Sequence, residues 1–79
     1  MQKDEALALV QEIARDVLDN ESIILTYEST TDMVPDWDSL NHVQIITEIQ
    51  NKLNIKFSAK EMISWDNIGD LCDSIINKK

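Results

Sequence analysis

Apolar residues return every three or four positions in separate stretches of this chain and lose their period between them. Leu7, Val10, Ala14 and Val17 fall at helical spacing, with Ile13 and Leu18 at the edge of the stripe. That pattern predicts a first helix from Asp4 to Leu18. Asp4 and Glu5 stand in its first turn, where the helix dipole favours negative charge. From Asp19 to Trp37 the period is lost, and Thr30, Thr31, Asp32, Pro35 and Asp36 read as turn residues. Ile23, Ile24, Leu25 and Val34 are expected to tack this loop onto the core. A connection of this length in a small protein is usually functional.

A second helix is predicted from Asp38–Ser39 to Lys52 or Leu53, with Asp38 as its N-cap. On a wheel of about 100° per residue, Ile45, Ile46, Ile49 and Leu53 form the core face. Leu40, Val43, Gln44, Thr47 and Asn51 gather on an adjoining side. Ser58-Ala59-Lys60-Glu61 reads as a capping box opening a short third helix that ends by Trp65. Asp66 is expected to cap a fourth, in which Ile68, Leu71, Cys72 and Ile75 hold helical spacing. The expected fold is all-α: a small antiparallel four-helix bundle, three main helices plus one short, with residues 1–79 as one domain.

Composition agrees. One glycine and one proline in 79 residues are too few turn formers for an all-β fold. A chain this short buries only about 60% of its unfolded surface, which leaves little room for a water-excluding catalytic cleft. Fifteen acids against seven bases give a formal charge of -8. That field disfavours nucleic acid and anionic membranes as partners and favours basic protein surfaces. The single cysteine, Cys72, has no internal disulfide partner, as expected in a reducing compartment. The start Met-Gln-Lys-Asp-Glu has no apolar signal core, and no apolar run reaches the roughly 18 residues of a membrane span. The expectation is a cytoplasmic monomer without stable membrane association.

The chemistry concentrates at Asp36-Trp37-Asp38-Ser39-Leu40. A serine in the first turn of a helix projects its hydroxyl into a region of free amides and positive dipole, where a phosphate ester is favoured. Asp-Ser-Leu alone is an ordinary helix start. Here it opens the second helix and is followed by Val43, Ile46, Ile49 and Leu53 at helical spacing. Asn54-Ile55-Lys56-Phe57-Ser58 and Trp65-Asp66-Asn67-Ile68-Gly69-Asp70-Leu71 follow at set distances. Across residues 36–76 the chain resembles the acyl carrier proteins.

The resemblance implies a 4'-phosphopantetheine arm, donated by coenzyme A, on Ser39, with Asp38 as motif residue and cap. It implies a phosphoprotein that is no enzyme but the substrate of a phosphopantetheinyl transferase. Acyl-loading and acyl-using enzymes of fatty-acid, polyketide or specialised lipid and glycan biosynthesis would be its partners. An aminoacyl or peptidyl carrier is an alternative, and so is an unmodified acidic helical adaptor. The expected docking surface comprises Leu40, Val43, Gln44, Thr47 and Glu48, two of them apolar beside the cargo site. One feature departs from the fatty-acid carriers, whose second helix is rich in glutamate. Between residues 39 and 57 this chain has a single acid, Glu48, against Lys52 and Lys56, while Glu21, Glu28, Asp32, Asp36 and Asp38 crowd the preceding loop.

Other candidates fall away. Ser39, His42 and Asp38 are neighbours on one helix start, which does not supply the alignment a nucleophilic triad needs; His42 is expected to pack or to line the rim of a cargo cavity. Asp32, Asp36 and Asp38 lack the glycine and glutamate of a calcium loop in any register, so no metal is expected. Trp37 and Trp65 flank helix starts and are expected to pack there.

Overall fold

Small residues at the centre of the first helix decide how the others are arranged. In the computed structural model, which describes all 79 residues, α1 spans Lys3–Val17. It packs against both α2 (Ser39–Leu53) and α4 (Ile68–Lys78), with a short α3 (Ala59–Ser64) lying against α4. Four helices and no strand make the fold all-α. To touch two helices at once, α1 needs a broad buried face. Ala6, Val10, Ile13 and Ala14 supply it, the two alanines letting neighbouring backbones approach. The predicted stripe is therefore rotated: Leu7 and Val17 sit at its margin and are only partly buried.

The core contains Ile45, Ile46 and Ile49 from α2, with Ile68, Leu71, Cys72 and Ile75 from α4. Leu53, expected in the core face, is only partly buried near the end of its helix. Phe57 closes one end, edge-on to Trp65 with ring centroids 5.0 Å apart. Trp65 Nε1–H donates to Ser74 Oγ at 2.8 Å.

The helix ends explain the boundaries. Asn54 takes the left-handed conformation (φ 54°), and its neighbour Ile55 donates N–H to the Gln50 carbonyl at 3.0 Å, which stops α2. The capping box at α3 is present: Glu61 N–H donates to Ser58 Oγ, and Ser58 N–H donates to Glu61 Oε1. For α4 the cap is Asn67, not Asp66: Asn67 Oδ1 accepts from Asp70 N–H at 2.9 Å. Asp66 instead donates its own N–H to Asp70 Oδ2 at 2.9 Å, so the helix begins one residue later than predicted.

The loop from Asp19 to Asp38 includes a 3-10 turn, Thr31–Met33. Ile23 and Leu25 are buried, but Ile24 is 77% exposed, because successive side chains of an extended segment face opposite ways. The loop's backbone is bonded to α1 and α4. Leu25 N–H donates to Gln11 Oε1 at 2.8 Å, and Arg15 Nε–H to the Ile23 carbonyl at 2.7 Å. The first two amides of α4, Ile68 and Gly69, donate to the carbonyls of Ser29 and Tyr27, both at 2.8 Å. Those amides have no partner within their own helix, so the loop completes α4. Tyr27 Oη donates to Asp4 Oδ1 at 2.6 Å, which pushes its hydroxyl pKa up to about 12.

Candidate functional site

Ser39 is the first residue of α2 and is exposed. Asp38 ahead of it is extended and caps the helix, its Oδ1 accepting from Asn41 N–H at 2.8 Å. The Ser39 and Leu40 amides have no backbone acceptor. An exposed hydroxyl thus stands beside two free donors at the positive end of a four-turn helix, where an anionic ester is stabilised.

Behind the serine the backbone turns sharply. Asp36 takes the left-handed conformation (φ 68°), and its carbonyl accepts from Asp38 N–H at 3.0 Å and from Asn41 Nδ2–H at 2.8 Å. Trp37 is buried, and its Nε1–H donates to His42 Nδ1 at 3.0 Å. His42 is therefore neutral, with its proton on Nε2. Burial of the ring pulls its pKa below the ordinary 6.5.

A groove of about 740 Å³ starts at this point. Trp37, Ser39, His42 and Val43 line it together with Met62, Trp65, Ile68 and Leu71, and so do Thr30, Thr31 and Asp32 of the loop. Three carboxylates, Asp32, Asp38 and Asp66, face it, with no lysine or arginine among its lining residues. His42 lines the groove and is half-buried against Trp37, the packing role expected of it. Its hydrogen bond with Trp37 has no counterpart in the sequence pattern.

The remaining candidates spread along α2. Leu40 is 78% exposed and Val43 62%, and Gln44, Thr47 and Glu48 are exposed too. Gln50 differs from these: it is partly buried, and its Oε1 accepts from Phe57 N–H at 2.9 Å. Thr47 Oγ1 donates back to the Val43 carbonyl at 2.8 Å. No group of three or more histidine, cysteine, aspartate or glutamate side chains is arranged to hold a metal ion. No helix is long and apolar enough to cross a membrane.

Comparison with known proteins bears on this arrangement. Residues 8–75 match the family described as the phosphopantetheine attachment site. The chain belongs to the acyl carrier protein family. This carrier is also similar to the holo acyl carrier protein of Geobacter metallireducens, solved in solution by NMR, at 36% identity and a TM-score of 0.86. The match covers 92% of the carrier and 84% of that protein. No curated protein sequence gives a significant match. The prosthetic group of the family is 4'-phosphopantetheine, and the protein is a carrier rather than a catalyst. The residues at the start of α2 fit that group: one exposed hydroxyl to esterify, two free amides for the phosphate, and an indole- and aliphatic-walled groove for the arm.

Proposed function

We propose that residues 1–79 form a single carrier unit and that Ser39 is the attachment point. On a phosphopantetheinyl transferase carrying Mg²⁺, the Ser39 oxygen attacks the pyrophosphate phosphorus of coenzyme A that bears the pantetheine and loses its proton to the enzyme; the pyrophosphate bond breaks and adenosine 3',5'-bisphosphate leaves. The observation that carries the reading is the exposed Ser39 hydroxyl beside the unpaired Ser39 and Leu40 amides. Asp38 holds the helix start rigid by occupying the Asn41 amide. Once bound, the arm supplies a terminal thiol that carries cargo as a thioester; the protein supplies attachment, reach and recognition.

Leu40, Val43, Gln44, Thr47 and Glu48 form the surface that partners grip, the apolar pair lying next to the cargo. Because Glu48 is the lone acid of α2, electrostatic attraction to basic patches is weak there. That favours a dedicated acyl-loading and acyl-using set in specialised lipid, glycan or polyketide biosynthesis over general fatty-acid synthesis. The carboxylates around the groove, unopposed by any cation, support a second reading in which the cargo bears an amine, as in an aminoacyl carrier. A cytoplasmic monomer fits the free, buried Cys72 and the net charge.

The test is intact mass after incubation with coenzyme A, Mg²⁺ and a broad-specificity transferase. The wild-type chain gains one phosphopantetheine and Ser39→Ala gains none. A wild-type chain that stays unmodified ends the proposal.

A further inference from the structure

Two side chains in the first turn of α2 reach back across Ser39 to the segment that precedes it. Asn41 Nδ2–H is bonded to the Asp36 carbonyl at 2.8 Å, and His42 Nδ1 accepts the Trp37 indole N–H at 3.0 Å. From Thr30 to Trp37 the other backbone hydrogen bonds are local to the loop: Met33 N–H to Thr30, Val34 N–H to Thr31, Trp37 N–H to Val34, and Asp38 N–H to Asp36. Asp38 itself belongs to the helix cap, its Oδ1 and carbonyl accepting from the Asn41 and His42 amides. Residue 36 is also in a left-handed conformation that an aspartate does not adopt freely. The segment from Thr30 to Trp37 is therefore hydrogen-bonded to α2 through these two bonds alone.

We propose that the Trp37–His42 hydrogen bond, with the Asn41–Asp36 bond beside it, is a clasp that holds the segment ahead of Ser39 in its presenting pose, and that a proton on His42 Nδ1 opens it. The proposal rests on Ser39 being the attachment point. His42 is a positioning residue: a protonated Nδ1 is a donor and has nothing to offer the indole N–H. Burial disfavours the imidazolium. Asp32 from the 3-10 turn, Asp38 from the helix cap and Asp66 from the turn before α4 are the charged side chains that line the same groove, and burial is the effect that decides the direction. An open clasp leaves fewer molecules in the pose a transferase recognises, and that loss raises KM and leaves kcat alone.

His42→Asn tests this directly, because Asn Oδ1 takes the place of Nδ1 as acceptor and does not titrate. The ratio of wild-type to His42→Asn kcat/KM for phosphopantetheine transfer cancels the transferase's own pH dependence. The ratio should be near one at about pH 8 and fall about fivefold towards pH 5, the worth of one neutral hydrogen bond. Trp37→Phe, which keeps a ring and loses the donor, should raise KM about fivefold at all pH values with kcat unchanged. NMR of the unmodified protein gives a readout independent of transfer. The Trp37 indole N–H resonance should move with the His42 titration, while that of Trp65, bonded to Ser74, should not. A ratio that stays flat across that range, a Trp37 resonance that ignores the titration, or a Trp37→Phe loss carried in kcat overturns the clasp. A wild-type chain that no transferase modifies instead defeats the carrier reading, and the indole titration then judges the clasp alone.

Discussion

Gly69 is the one glycine of the chain, and its replacement by alanine tests how the long loop is fastened. A Cβ built at this position lies 2.8 Å from the Tyr27 carbonyl oxygen, 3.1 Å from Tyr27 Cβ and 3.2 Å from Asn67 Oδ1. The Gly69 N–H donates to that same carbonyl at 2.8 Å, so the obstacle is backbone already committed to a bond. The carbonyl has to withdraw, and the neighbouring bond from Ile68 N–H to the Ser29 carbonyl is strained with it. Each bond is worth about 1 kcal/mol net, and overpacking at a filled site costs about 1–3 kcal/mol. Alanine's better helix propensity offsets at most about 1 kcal/mol. The net is a loss of about 2 kcal/mol. In a protein of this size that lowers Tm by about 8–16 °C. Urea unfolding followed by tryptophan fluorescence should show a lower midpoint at unchanged slope. Asn67→Ala, which removes only the α4 cap, serves as a comparison at about 1 kcal/mol. Gly69→Ala as stable as the wild type, or more so, would refute the claim that the loop is bonded to α4 without slack.

Three further outcomes are expected. Asp38→Asn keeps the acceptor for the Asn41 amide and should leave stability within about 0.5 kcal/mol, whereas Asp38→Ala should lose about 1 kcal/mol; chemical denaturation separates them. Gln44→Glu with Asn51→Glu adds two acids to an exposed side of α2 and should raise the rate of loading by fatty-acid synthase components in a way that salt suppresses. Gln50 is unsuitable for that experiment because it holds the Phe57 amide. The Cys72 thiol is buried, and desolvation pushes its pKa up to about 11, so at about pH 8 it should resist alkylation in the native protein and react only on unfolding.

Local signals carried most of the fold. Helix extents followed from period and caps because α2, α3 and α4 each begin at a residue whose short polar side chain reaches a free amide. Where the expectation slipped, tertiary contact was the reason. The buried stripe of α1 turned because two helices lean on it, and two of its fully buried residues, Ala6 and Ala14, are weak in any hydropathy pattern. Asp66 and Asn67 are adjacent residues of equal capping ability, and only the bond from Asp70 N–H to Asn67 Oδ1 decides between them. The exposed position of Ser39 at a helix start follows from its motif, because the aspartate of that motif is itself the cap; the groove beside it has no counterpart in the sequence pattern. The Trp37–His42 bond has none either, since nothing in spacing says that an indole two residues before a serine meets an imidazole three after it.

The loop divides into two parts with different physics, and the division falls where the chemistry needs it. From Ile23 to Ser29 its backbone is bonded to Gln11 and Arg15 of α1 and to Ile68 and Gly69 of α4. This half is part of the folded core in energetic terms and opens only when the helices do. From Thr30 to Trp37 the backbone bonds are local, the side chains of Met33, Pro35 and Asp36 are exposed, and the hydrogen bonds to α2 are the two made by Trp37 and the Asp36 carbonyl, before Asp38 joins the helix as its cap. A carrier has to hold its attachment residue at one place on a rigid body while letting successive enzymes close over it. Rooting one half of the loop in the core and leaving the half beside Ser39 on a few side-chain bonds meets both demands. It also leaves the part of the loop with the fewest bonds to the helices next to Ser39, the proposed attachment residue.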